Sequence, residues 1–176
     1  MTNKPRDLAT LSDAVYDNPL ENKPQGGYAD KIPGGYQYIK ASGEAESSEG
    51  YFGAAFKNGN TVVIAHRGTN SFSDLDDDHA LFVGKKLPDQ IKKAEHFTNK
   101  IRAQYGNDVE IIHTGHSLGG AVAQVMALMT NTRGVSFDNP GIKWIVPEGI
   151  DTKTGGPQTY FGKNSEHKSP IDWRYN

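Results

Sequence analysis

The sequence predicts an α/β fold: a compact sheet, mostly parallel, entered through an antiparallel hairpin. Three observations predict it. Strand-like and helix-like stretches alternate through the middle of the chain. Asn58-Gly59-Asn60 joins two strand-like runs, and both residue types tolerate the positive φ of a hairpin turn. Lastly, the apolar run "VEIIHT" reaches the helix-like "LGGAVAQVMALMT" through only Gly115-His116-Ser117.

Taken in order, Leu8, Leu11, Ala14 and Val15 fall at helical spacing, and Asn18-Pro19 ends the pattern. Residues 17–35 are rich in Pro, Gly and Asn and read as loop. "YQYIKA", "YFGAAFK" and "TVVIAH" read as strands, the last two forming the hairpin. Residues 70–87 read as irregular, with Asp74, Asp76, Asp77 and Asp78 close together. Pro88 then opens an amphipathic helix with Ile91, Ala94, Thr98, Ile101 and Tyr105 on its buried stripe, and Gly106 caps it. "RGVSF" and "KWIV" are further strand candidates, and residues from 147 on suggest no element.

Composition narrows the function classes. A chain of 176 residues suits a single domain, residues 1–176, and a hydrophobic share of 35% with 20 glycines implies a modest core and many turns. The net charge of −2 makes no case for nucleic acid as a partner. With no cysteine, neither a disulfide framework nor a thiolate nucleophile is available. The N-terminus has no apolar signal-peptide core, and no stretch approaches the ~20 apolar residues of a spanning helix. A cytoplasmic protein, or one exported without a cleaved leader, is the expectation. No metal-ligand cluster or phosphate-binding loop is visible, so no metal or cofactor is expected.

The chemistry centres on Gly115-His116-Ser117-Leu118-Gly119. A turn this tight between strand and helix strains its middle residue and crowds the positions two before and two after, which suits glycine at both. Ser117 then stands at the C-terminal edge of the sheet as a nucleophile, and the Leu118 amide points at the oxygen of a bound acyl group. A second oxyanion donor comes from a loop after an earlier strand. "TVVIAHRGTN" offers Thr69 for that role, with Gly68 allowing close backbone approach.

"VVIAHRGTN" followed by "IIHTGHSLGGAVAQVMAL" closely resembles the class 3 (fungal-type) lipase family of α/β-hydrolases. "SFDNPG" resembles that family's F-G-x-P segment, with Asp138 in place of the glycine. The resemblance runs from about Tyr51 to Gly141. It implies Ser117 as nucleophile, Thr69 as oxyanion-hole residue, and "NSFSDLDDDHALF", which includes His79, as a lid region. The family often carries Trp where Phe72 or Leu75 stands here. So acidic a lid argues against bulk triglyceride as substrate.

A serine hydroxyl needs an imidazole to take its proton and a carboxylate to orient that imidazole. His167 is the only histidine after Ser117. His113 and His116 lie too close to Ser117 in sequence to swing over it, His66 belongs to the oxyanion strand, and His96 to a solvated helix face. By elimination His167 is the candidate base. Asp138, placed by the strand after the elbow helix, is the preferred acid. Asp172 fits the family's longer spacing but leaves no histidine beyond it, and Asp151 is a third candidate. The family order is Ser, Asp, His, and only residues 118–176 follow Ser117 here.

The expected activity is cofactor-free hydrolysis of a carboxylic ester through a serine acyl-enzyme. The substrate is an acyl ester or lipid, with phospholipid as one specialisation and transient contact with a membrane surface compatible with it. Two other readings stay open: a shortened hydrolase-like binding domain without a complete triad, and a serine thioesterase or amidase.

Overall fold

The computed structural model describes residues 4–16, 32–42, 51–68, 79–139 and 159–161. They form helix α1 (Pro5–Ala14), strands β1 (Gln37–Ala41), β2 (Gly53–Asn58) and β3 (Thr61–His66), helix α2 (His79–Tyr105), strand β4 (Glu110–His116), helix α3 (Leu118–Met129), and strands β5 (Arg133–Phe137) and β6 (Thr159–Phe161). One sheet holds all six strands in sequence order. β1 pairs antiparallel with β2, and β2 with β3. From β3 onward every pairing is parallel.

The turn between β2 and β3 is as tight as its residues allow. Asn58 pairs with Thr61, leaving Gly59-Asn60 as the loop, and Gly59 takes a φ of 56°. The crossovers from β3 to β4 and from β4 to β5 contain α2 and α3, the connection parallel strands require. Those helices share one face of the sheet, where Ile64, Leu87, Ile91, Phe97, Ile101, Val122, Val125 and Met126 form one buried cluster. α1 covers the opposite face, and Leu8, Leu11 and Val15 pack there on Phe56, Val63, Ile112 and Val135.

The central strands are buried on both faces, so they read as continuous apolar runs rather than alternating ones. Two sequence expectations need correction. α2 starts at His79 and passes through Pro88, where the sequence suggested an irregular segment and a helix start. The apolar stripe explains it: Leu87, Ile91 and Ala94 recur at helical spacing in one cluster, and that burial outweighs the single hydrogen bond Pro88 cannot donate. β6 lies where no element was expected. It is three residues long and its register comes wholly from the edge of β5. "KWIV" lies outside the described residues. Among the described residues, no helix is long and apolar enough to cross a membrane.

Candidate active site

β4 hands the chain to α3 through Ser117, whose backbone is at φ 54°, ψ −127°. Positive φ is uncommon for a residue with a Cβ and persists only where the surroundings over-determine it. Here they do. The Ser117 amide donates to the Phe137 carbonyl at 3.0 Å, while the Ser117 carbonyl accepts from Gly120 at 2.9 Å and Ala121 at 3.2 Å. The flanking glycines answer to packing. A Cβ on Gly115 would strike the Gly119 carbonyl, and one on Gly119 would strike the His66 carbonyl. The two requirements interlock, so strand, turn and helix start are a single tightly packed unit.

Serine at a helix N-cap ordinarily turns its hydroxyl back onto the helix amides. Ser117 makes no such side-chain bond. Its hydroxyl is therefore not committed to capping, and the side chain sits at the head of α3 with 6% of its surface exposed. The leading amides of a helix have no partner within the helix and carry its positive dipole end. The Leu118 amide is the first of these. This arrangement suits attack on a carbonyl carbon and stabilisation of the resulting oxygen anion.

β3 brings the second loop to the same sheet edge. Its last rung with β4 pairs His66 with Gly115. Beyond that rung the chains stay close: a Cβ on Gly68 would lie 2.8 Å from the His116 carbonyl. The Arg67 amide donates to the Phe52 carbonyl at 2.9 Å, and its guanidinium stacks on the Phe52 ring at 4.6 Å. Thr69, the next residue but one, lies outside the described residues.

Asp138 follows β5 at this edge, with φ 45°. That value gives a physical reason for the glycine the lipase motif carries there, and Asp is one of the few other residues that visit this region readily. Its Oδ2 lies 3.8 Å from His116 Nε2, a half-exposed pair. His167, Asp151, Asp172 and the acidic lid segment up to Asp78 lie outside the described residues. His79 is the first residue of α2. His96 is exposed on the same helix, as expected. No group of three or more metal-ligating side chains occurs among the described residues.

The sequence reading missed two polar features. Tyr16, just past α1, places its hydroxyl 3.2 Å from the Gly68 nitrogen, 3.4 Å from the His116 carbonyl oxygen and 3.3 Å from His116 Nδ1. Burial raises its hydroxyl pKa, so it remains a protonated phenol. Below the sheet edge, Tyr51, His66, His113 and Thr130 form a buried hydrogen-bonded chain. Burial lowers the pKa of both histidines, and His113 is pushed down to about 3. Neither feature has a periodic signature, since each joins residues distant in sequence.

Comparison with known proteins places this geometry. Residues 7–148 match the model of the Tle-like phospholipase domain, a phospholipase-like family. Among solved structures, the Lip2 lipase of Yarrowia lipolytica superposes with a TM-score of 0.57 at 16% identity, over 77% of this chain and 58% of that one. Lipase II of Rhizopus niveus gives 0.56 at 15%, over 89% and 69%. The lipase of Rhizopus microsporus var. chinensis gives 0.54 at 17%, over 96% and 75%. At such identities the likeness is one of fold, that of the α/β-hydrolase lipases. The chain spans 58% of the length of the Yarrowia enzyme. No curated protein matches it.

Proposed function

The chain belongs to the Tle-like phospholipase domain family, and on that premise we propose that it hydrolyses acyl esters of phospholipid-like lipids through a serine acyl-enzyme. The observation that carries the proposal is the backbone of Ser117, held at φ 54° between a buried strand and a helix N-terminus. Strain of this kind has a cost of order 1–3 kcal/mol, and a nucleophile set at the head of a helix explains why the chain keeps it.

Ser117 Oγ attacks the acyl carbonyl carbon while His167 removes its proton. The oxyanion forms against the amides of Leu118 and Thr69. Collapse expels the alcohol, which takes the proton from His167. Water, deprotonated by the same imidazole, then releases the fatty acid and frees Ser117. Asp138 is assigned as the carboxylate that orients His167.

Labelling by a fluorophosphonate probe, read beside fatty-acid release from phosphatidylcholine vesicles, tests the proposal in wild type and Ser117→Ala. Both signals are expected in wild type and neither in the variant. A folded wild type that does not label belongs to the binding-domain reading. Turnover of thioesters or amides in preference to esters would move the reaction class and keep the nucleophile.

A further inference from the structure

We propose that Tyr16 is a positioning residue, its hydroxyl fastening the oxyanion loop to the nucleophile elbow; this rests on the serine-hydrolase reading above. Parallel pairing of β3 with β4 ends at His66 and Gly115. Leu118, and Gly68, which precedes Thr69 in the chain, both follow that last rung. The ladder therefore does not set their separation.

Tyr16 bridges the gap. Its oxygen accepts the Gly68 amide at 3.2 Å, one residue before Thr69. It has one proton to give, and His116, the residue before Ser117, presents two acceptors: its carbonyl at 3.4 Å and Nδ1 at 3.3 Å. When Nδ1 carries a proton it donates to the phenol, and the phenol proton goes to the carbonyl. In either tautomer of the ring the phenol keeps a hydrogen bond to His116. The rings also meet edge to face, with centroids 6.1 Å apart.

The support beneath Tyr16 is stiff. Leu8, Leu11 and Val15 are buried against the sheet, and Thr114 Oγ1 on β4 donates to the Leu8 carbonyl at 3.3 Å. Tyr16 closes this anchored unit, its amide donating to the Asp13 carbonyl at 3.0 Å. α1 thus does more than cover one face of the sheet: it holds a phenol between Gly68 and the residue before Ser117. Two oxyanion donors must converge on one oxygen, and a misplacement of about 1 Å can cost on the order of 10²-fold in rate.

Tyr16→Phe removes the hydroxyl and keeps the ring. With p-nitrophenyl butyrate as substrate, kcat is expected to fall about 10- to 100-fold, with KM nearly unchanged, because the hole acts on the transition state. A boronic acid that adds to Ser117 reports the same geometry without turnover, and its affinity should fall by the same factor. Tyr16→His, which restores a hydrogen-bonding ring, recovers part of the loss. Ile101→Ala, a cavity in the distant α2 core, lowers Tm and leaves kcat intact wherever the protein stays folded. Wild-type kcat and boronate affinity in Tyr16→Phe overturn the proposal, as does a loss confined to KM or a variant that fails to fold. Wild type that neither labels nor turns over overturns the hydrolase reading and the role of Tyr16 together.

Discussion

His66 Nε2 and His113 Nδ1 lie 2.9 Å apart, joining β3 to β4 inside the core with both rings fully buried. The proton order along their chain can be worked out from its far end. Thr130 Oγ1 donates to the Met126 carbonyl at 2.6 Å. It therefore accepts from His113 Nε2 at 3.4 Å. His113 Nδ1 is then an acceptor, and His66 Nε2 donates to it. His66 Nδ1 in turn accepts the hydroxyl of Tyr51 at 2.8 Å. Both imidazoles are neutral, each with one donor and one acceptor used.

Stability should accordingly fall as the solution is acidified. The folded pKa of each histidine lies below its ordinary value, His113 at about 3. The unfolded chain therefore binds more protons between roughly pH 6.5 and 3, and stability is complete above that window. The slope approaches ~1.4 kcal/mol per pH unit for each histidine. Urea unfolding between pH 7.5 and 5, above the range where most carboxylates titrate, reads it directly. A flat profile there would contradict the neutral, proton-ordered chain.

Tyr51→Phe should destabilise without impairing catalysis. It leaves His66 Nδ1 buried without its donor, a loss of about 1–3 kcal/mol. The ring remains to fill its place among Ile64, Leu87 and Leu118. The checks are the chemical-denaturation midpoint and kcat in buffer. A midpoint matching wild type would remove Tyr51 from the chain.

Replacing Ser117 separates strain from chemistry. Ser117→Ala removes the nucleophile, on the order of a 10⁶-fold loss in kcat, but retains a Cβ at φ 54°. Ser117→Gly removes both and should be more stable than Ser117→Ala by about 1–3 kcal/mol. Equal melting temperatures for the two variants would mean that the elbow stores no strain.

The parts of this molecule legible in its sequence are those with local causes. The hairpin was legible because Gly59 and Asn60 suit a two-residue turn, and the elbow because Gly115 answers to Gly119 and Gly120 a few residues on, while Gly119, set by the His66 carbonyl of β3, was legible only as part of the motif. α2 was read too short because Pro88 resembles a helix start, while the apolar residues ahead of it, Ala80 to Val83 and Leu87, directly follow the clustered Asp74 and Asp76 to Asp78, which read as irregular. β6 depends on β5 for its existence. Tyr16 and the His66–His113 pair were illegible for another reason. Each joins residues far apart in the chain, and a polar contact at long range leaves no spacing to detect.

The acid and base remain the sharpest test of the site. Asp138 stands at φ 45° where the lipase motif has glycine. That allows two substitutions with different expected outcomes. Asp138→Asn keeps a residue that tolerates positive φ and removes the charge, so kcat should fall, on the order of 10⁴-fold for a triad carboxylate, with stability near wild type. Asp138→Gly should lose as much activity while gaining stability, since the backbone strain is relieved. His167→Ala should match Ser117→Ala in severity, because triad members act as a unit. The pH–rate limb near the ordinary imidazole value of ~6.5 should vanish with it. An Asp138→Gly protein that is more stable and fully active would reassign Asp138 to its contact with His116. The carboxylate of the triad would then have to be sought at Asp151 or Asp172.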